Sequence, residues 1–370
     1  MIVGVPAEIK PDEYRVAMTP AGVRELTAHG HRVVVQEGAG RGSSIDDAAY
    51  KAVGGEILPT AADVFAAADL IVKVKEPQPG EIAMLERRHV LFTYLHLAAY
   101  PDEARGLAGS GAISIAYETV QLPNGTLPLL APMSEIAGRM ATQAGAHHLE
   151  RTRGGRGVLL GGVPGVPPAQ VTILGAGMAG SNAAMIAAGM GAQVAILDVN
   201  VDRLRHIDEL SWGRVVTVRS SRHAVGEFVA SADLVVGAVL IAGARAPVLV
   251  TEEQVAAMRP GSVVVDISID QGGCIATARE TTHHDPVYTE HGVLHYCVGN
   301  IPGAVPNTAT WALSNATLPY AVALAEGLPA AVAAYPELIG GINVARGKVT
   351  HPAVAASLGM DCADPMKAIS

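Results

Sequence analysis

Five polar residues sit directly after apolar runs or in the loop that follows one, where a chain of this kind would present chemistry. Lys75 follows Leu70–Val74, His96 follows Val90–Tyr94, Glu118 follows Ile113–Tyr117 and Asp270 follows Val263–Ile267. Arg15 lies in the loop after the first apolar run, within Glu13-Tyr14-Arg15-Val16. Parallel α/β domains place ligands beyond the carboxyl ends of their strands, so these positions share an address. An imidazole moves protons near neutral pH, and a guanidinium fork grips a carboxylate. Each residue also has a structural reading. Lys73 and Lys75 alternate with valines, as edge-strand lysines do. His96 could be a hydrogen-bonded core histidine, Asp270 a turn former before Gln271-Gly272-Gly273, and Glu118 part of a hairpin-like turn near Asn124-Gly125. Their common placement favours function without naming a substrate.

A second set reads more sharply. Gly175-x-Gly177-x-x-Gly180 follows the apolar run Val171–Leu174, precedes a helical stretch and is answered by Asp198 at the end of the next run. Gly175 permits the tight turn, Gly177 lets the backbone approach a pyrophosphate, and Gly180 lets helix and strand close up. The following helix N-terminus faces the phosphates with unpaired N–H groups. Asp198 suits the ribose hydroxyls and would repel a 2′-phosphate, which favours NAD over NADP. Arg203 works against that preference, because a nearby cation tolerates phosphate.

The elements that position these residues alternate. Ile2–Val5 reads as a strand, Pro20–His29 as a helix capped by Thr19, and Arg32–Val35 as a second strand. Runs at 70–74, 90–94 and 113–116 continue the βαβ alternation of a parallel sheet. A long helix from about Ser134 to Thr152 looks like a connection between domains. Beyond it come the glycine unit and strands at 194–197, 215–218, 234–237, 262–267 and 294–297. The segment after Pro302 reads as helical, with no sheet of its own, and is expected to return to the N-terminal domain. Gly30–Glu37 and Gly191–Asp198 share a pattern of helix stop, strand and acid. The expected fold is α/β: two Rossmann-like, doubly wound parallel-sheet domains with a cleft between them. The first domain is 1–128 with 305–370, and the NAD-binding domain is 129–304.

Composition narrows the function. With 370 residues, 49% hydrophobic and 16% charged, the chain suits two packed domains rather than disorder. Net charge −9, without a long basic run, disfavours nucleic acid. The uncharged stretch Gly157–Leu197 is long enough to raise a membrane span. Its prolines, glycines, Asn182 and Gln193 favour a strand, turn and helix instead. The N-terminus has no secretory pattern, and Cys274, Cys297 and Cys362 lack metal-like spacing, so a reduced, cytoplasmic setting without a required metal is expected.

Longer motifs carry a resemblance. Gly4-Val-Pro-Ala-Glu-Ile-Lys10, Glu13-Tyr-Arg-Val-Ala-Met-Thr-Pro20, Val74-Lys-Glu-Pro77 and Leu91-Phe-Thr-Tyr-Leu-His-Leu-Ala98 are similar to the alanine dehydrogenase family. So are Ala116-Tyr-Glu-Thr-Val120, Pro128–Gly138, Gly161–Val166 and Val265–Gly273. The likeness spans residues 1 to about 320 and is loose after about Gly327. Ile301 stands where the family often has Met, and Asn307 where a basic residue is usual.

The resemblance implies NAD-dependent interconversion of L-alanine with pyruvate and ammonium. It implies Arg15 and Lys75 as substrate ligands and His96 and Asp270 as the acid–base pair. It also implies cofactor contacts at Ser134, Gly175, Gly177, Met178, Ala179, Gly180, Asp198, Arg203, Ser220, Val239, Leu240, Ile267, Ser268, Ile269, Asp270, Arg279, Val298, Gly299, Asn300 and Ile301. Members assemble as homo-oligomers, commonly hexamers. Three rivals stand beside this reading: the NAD(H)-binding subunit of a proton-translocating transhydrogenase, a catalytically inactive NAD-binding scaffold, and a saccharopine- or lysine-type dehydrogenase.

Overall fold

A computed structural model of the chain describes residues 1–241 and 245–369. In chain order its strands are β1 (Ile2–Val5), β2 (Arg32–Gln36), β3 (Glu56–Leu58), β4 (Leu70–Val72), β5 (Val90–Thr93), β6 (Ile113–Ala116), β7 (Gln170–Leu174), β8 (Gln193–Asp198), β9 (Val215–Arg219), β10 (Leu234–Gly237), β11 (Val263–Asp266), β12 (Val287–Glu290), β13 (Val293–Tyr296), β14 (Ile342–Ala345) and β15 (Lys348–Val349). They form two sheets, ordered β15-β14-β6-β5-β4-β1-β2-β3 and β12-β13-β11-β10-β7-β8-β9. Counting parallel strands alone, each sheet runs 3-2-1-4-5-6, the doubly wound order. The fold is therefore α/β with two doubly wound domains, as the alternation of runs predicts.

The chain divides into two compact units, residues 1–133 with 303–370, and residues 134–241 with 245–302. The weak internal likeness has a structural basis: its strands are β2 and β8, each hydrogen-bonded to the first strand of its own sheet. Strands covered on both faces read as continuous β-branched runs rather than alternations. Val33, Val34 and Val35 of β2, Leu70, Ile71 and Val72 of β4, and Val263, Val264 and Val265 of β11 are all buried to within 1%.

Helix ends follow local chemistry. Pro20–Ala28 starts at Thr19, whose side chain accepts from Gly22 N, with Pro20 in the first turn. The long helix expected from Ser134 instead runs Ala131–His148 and is followed by a 3-10 turn, Arg151–Arg153. The uncharged stretch resolves into a loop, β7, the helix Met178–Gly189 and β8. Among the described residues, no helix is long and apolar enough to cross a membrane.

Two expectations need correction. The stretch after Pro302 is not wholly helical, because β14 extends the first sheet antiparallel to β6 and β15 pairs antiparallel with β14. Their two-residue turn is Arg346-Gly347, with φ of 51° and 93°. Type I′ hairpins need positive φ at both positions, and Arg-Gly lacks the Asn or Asp that usually announces one. The edge-strand reading of Lys73 and Lys75 also fails. They follow β4, which lies between β1 and β5 in the interior of its sheet.

Candidate active site

In the first unit the loop from residue 6 to residue 19 is long and ionic. Arg15 is only 2% exposed. Its Nε and Nη2 donate to Glu13 Oε1 and Oε2 at 2.7 and 2.5 Å, and its Nη1 lies 3.0 Å from Met133 Sδ. Burial opposes the guanidinium charge, but Glu13 outweighs it and holds the group firmly protonated. Glu13 thus orients Arg15 while occupying one edge of its fork.

The same loop builds the floor under Lys75. Lys73 is fully buried, its Nζ held by Glu8 Oε2 at 3.0 Å and Glu81 Oε1 at 2.8 Å. Glu8 also accepts from the main-chain N–H of Val74 at 2.7 Å and of Lys75 at 3.3 Å. Desolvation pushes the Glu8 carboxyl up despite Lys73, a sign of how dry this corner is. The Lys75 backbone is fixed, and its side chain is 4% exposed. Its ammonium has no hydrogen-bond or ion-pair partner among the described residues.

His96 adopts φ of 50°, a left-handed conformation uncommon outside glycine. Glu118 supports it, accepting from His96 N at 2.6 Å and Leu95 N at 3.2 Å. Strain held by a dedicated carboxylate is typical of functional positions. The imidazole is half-buried and stacks on Tyr94, with centroids 5.8 Å apart and planes 10° apart. Tyr94 is itself anchored through its hydroxyl to Leu129 O at 2.6 Å and meets Tyr117 edge-on. His96 is therefore not a sealed core residue, and Glu118 is a brace rather than a hairpin residue. Glu76, 2% exposed, lies within the electrostatic reach of both Lys75 and His96.

In the second unit the turn from β7 into the helix Met178–Gly189 is made by Gly175, Ala176 and Gly177. A Cβ on Gly180 would lie 1.8 Å from Gly175 O, and one on Gly175, at φ of 103°, would lie 2.6 Å from Ala238 O. A Cβ on Gly177 would meet nothing within 4 Å, which leaves that side open. Gly177 caps the helix without a side-chain hydrogen bond. The first N–H groups are thus available to an anion. Asp198 is buried at the end of β8 and accepts from Ala176 N at 2.6 Å and Asn200 N at 2.8 Å. It braces the turn, with Arg203 at 3.9 Å. These residues fit a dinucleotide.

The other expected contacts gather around the same end of this sheet. Ser220 N donates to Asp198 O at 2.8 Å. Val239 and Ser268 exchange hydrogen bonds of 3.0 and 2.7 Å, tying the end of β10 to the 3-10 turn Ile267–Gln271 that carries Ile269 and Asp270. Leu240 and Met178 are exposed, and Ala179 is half-buried. Gly138, one turn beyond Ser134, lies so close to Ala179 that a Cβ would be 2.0 Å from its carbonyl oxygen. Asn300, at φ of 65°, donates its N–H to Asp270 Oδ1 at 3.1 Å, and Val298, Gly299 and Ile301 are its neighbours along the chain. Arg279 is stacked on the Tyr288 ring at 3.8 Å.

Several residues that build these sites escape a reading of motifs. Glu8, Glu13, Lys73, Glu76 and Glu81 serve Arg15 and Lys75. In the second unit Asp266, fully buried, holds the 3-10 turn through Ser268 N, Cys274 N and Ile275 N. Burial pushes its carboxyl up to about 6 against those donors. The one available signal was density: five charged residues within Glu8–Arg15 of a chain only 16% charged.

A parallel α/β unit opening on a pyrophosphate turn, in one chain with a unit rich in buried acid–base groups, is the build of a nicotinamide-dependent dehydrogenase. Family comparison specifies which. The profile described as alanine dehydrogenase/PNT, N-terminal domain, matches residues 4–137, and its C-terminal-domain counterpart matches 141–352, so the chain belongs to the alanine dehydrogenase/PNT family. It is 54% identical over 365 residues to the alanine dehydrogenase of Mycolicibacterium smegmatis, covering 98% of each chain. A solved L-alanine dehydrogenase matches at TM-score 0.91 and 49% identity, over 97% of this chain and 99% of that one. The transhydrogenase from Sinorhizobium meliloti matches at 0.79 and 29%, over 95% and 100%.

Proposed function

We propose that the chain catalyses the reversible oxidative deamination of L-alanine to pyruvate and ammonium with NAD as its cofactor. The observation that carries the reading is the end-to-end identity with alanine dehydrogenases, 54% over 98% of both chains. The likeness to a transhydrogenase is much lower in identity, 29%, so the free enzyme is favoured over a transhydrogenase subunit or an inactive scaffold.

A nicotinamide held at the Gly175–Gly180 turn and Asp198 would supply the hydride acceptor for the substrate Cα. The chain's own residues do the rest. Arg15, oriented by Glu13, and the Lys75 ammonium hold the substrate's oxygen atoms. His96 takes a proton from the water that adds to the imine, then returns one to the departing nitrogen as the carbinolamine collapses. Asp270 is its partner in acid–base work and orders the water or ammonia. The reaction consumes alanine, NAD and water and yields pyruvate, ammonium, NADH and a proton. Asp198 selects NAD by occupying the place a 2′-phosphate would need. A homohexamer in the cytoplasm completes the proposal, by analogy with the family.

The test is NADH formation by the purified chain with NAD and a panel of L-amino acids. Strong turnover of alanine and little of lysine or glutamate is expected. NADH binding without turnover would point to the transhydrogenase or scaffold reading. His96→Ala should cost about 10²–10⁴-fold in kcat, and near-normal turnover in that variant would remove His96 from the chemistry.

A further inference from the structure

Asp270 is given acid–base work above, yet it sits on a 3-10 turn of five residues, an element whose own hydrogen bonds hold it weakly. Asp266 makes good the backbone. Its Oδ1 accepts from Ser268 N at 2.9 Å, and its Oδ2 from Cys274 N at 2.8 Å and Ile275 N at 3.2 Å, so both ends of the segment are tied. What Asp266 leaves open is the direction of the Asp270 carboxyl. That carboxyl accepts from Asn300 N at 3.1 Å, so its aim depends on where Asn300 stands. Asn300 takes φ of 65°, in a left-handed region that residues other than glycine seldom occupy.

The segment before β12 is built against this residue. Thr281 pairs in parallel with Val298: its N–H donates to Cys297 O at 2.9 Å, and its carbonyl accepts from Gly299 N at 3.1 Å. Thr281 Oγ1 donates to Pro286 O at 3.0 Å, and Thr282 Oγ1 accepts from Asp285 N at 3.2 Å. These bonds fold residues 281–286 back on themselves. From that fold the half-buried His283 reaches Asn300 O through Nε2 at 3.1 Å. A carbonyl oxygen only accepts, so the imidazole carries a proton on Nε2. With its N–H on Asp270 and its C=O on His283, Asn300 is pinned through both of its peptide planes. The proposed mechanism uses neither His283 nor this loop.

We propose that His283 is a positioning residue for Asp270: it fixes the left-handed Asn300, whose N–H then aims the Asp270 carboxyl. The proposal deepens the dehydrogenase reading and rests on it for its kinetic consequence. His283 acts through Asn300 and Asp270 rather than on substrate.

Hydrogen exchange and kinetics test this together. His283→Leu removes the donor at a half-buried position, whereas His283→Gln keeps an N–H close to where Nε2 stands. By mass-detected exchange, the peptide holding Asn300 should exchange about three- to ten-fold faster in His283→Leu, the worth of one hydrogen bond, and near the parent rate in His283→Gln. With alanine and NAD, His283→Leu should lower kcat about ten-fold or more and change the KM for alanine less, because a misaimed catalytic group loses much of its effect. His283→Gln should restore most of that loss. In an Asp270→Ala background, His283→Leu should be nearly silent in kcat, since the group it aims is gone. Parental kcat in His283→Leu, or an equal loss in both backgrounds, overturns the positioning role. Unchanged exchange in that variant overturns the hold on Asn300. The exchange arm needs no turnover, so a parent protein that leaves alanine untouched while His283→Leu loosens Asn300 would sink the dehydrogenase reading alone.

Discussion

The two units start from the same plan and treat their first crossover in opposite ways. Each has a sheet ordered 3-2-1-4-5-6, and in each the first strand leads through a turn into a helix. After β7 the turn is three residues, two of them glycine, and the helix starts with no side-chain cap. After β1 the loop runs from residue 6 to residue 19, and the helix starts at a Thr19 cap with Pro20 in its first turn. A bare helix N-terminus offers main-chain N–H groups to a phosphate. A capped one offers fewer, since Thr19 takes the Gly22 N–H and Pro20 has none, and the long loop before it instead supplies Arg15 and the glutamates that fix Arg15 and Lys75. One topology therefore yields an uncapped main-chain turn in one unit and a long ionic loop in the other, and the length of one turn decides between them.

The comparison can be broken most severely at Gly180. Gly180→Ala sets a methyl group against Gly175 O, and we expect NADH affinity, by fluorescence titration, to fall at least about 100-fold, the scale of a rebuilt phosphate turn. Retained affinity would mean the turn has slack that its geometry denies. In the first unit, Glu8→Gln leaves Lys73 with Glu81 alone. A loss of about 2–4 kcal/mol in denaturant unfolding and a raised KM for alanine are expected, because a buried cation loses half its compensation. An unchanged KM would show that Glu8 does not position Lys75.

Asp198→Ala should narrow the preference for NAD over NADP by roughly ten-fold or more in kcat/KM. Because Asp198 also braces Ala176 N, affinity for NAD itself should drop with it. The smallest effect is expected at the capped helix: Thr19→Ala should cost about 1 kcal/mol of stability and leave NADH binding alone. If it altered NADH affinity, the division of labour between the two turns would be wrong.

Much of the second site was legible because its parts are neighbours in sequence. Gly175, Gly177, Gly180 and Asp198 belong to one βαβ stretch, and their spacing states their geometry. Arg15, Lys75, His96 and Asp270 could be picked out by their strand-end positions. What surrounds them could not. Lys73 pairs with Glu8 across 65 residues, and Asp266 serves a turn whose Cys274 and Ile275 follow a reversal of the chain. Nothing local announces such partners. The hairpin of β14 and β15 was hidden for a related reason, since Arg346-Gly347 becomes a turn only once β6 offers an edge.

By itself the sequence determined the alternation of strands and helices, the glycine turn after β7 and the types of residue available for chemistry. These depend on local periodicity, on glycine's missing Cβ and on the side chains themselves. Tertiary structure alone decided which charges are compensated: Arg15 is clamped by Glu13, Lys73 is shared by two glutamates, and Lys75 has no such pair among the described residues. Burial strengthens electrostatics by excluding water, and which groups lose their water is a property of the assembled sheet rather than of any segment within it.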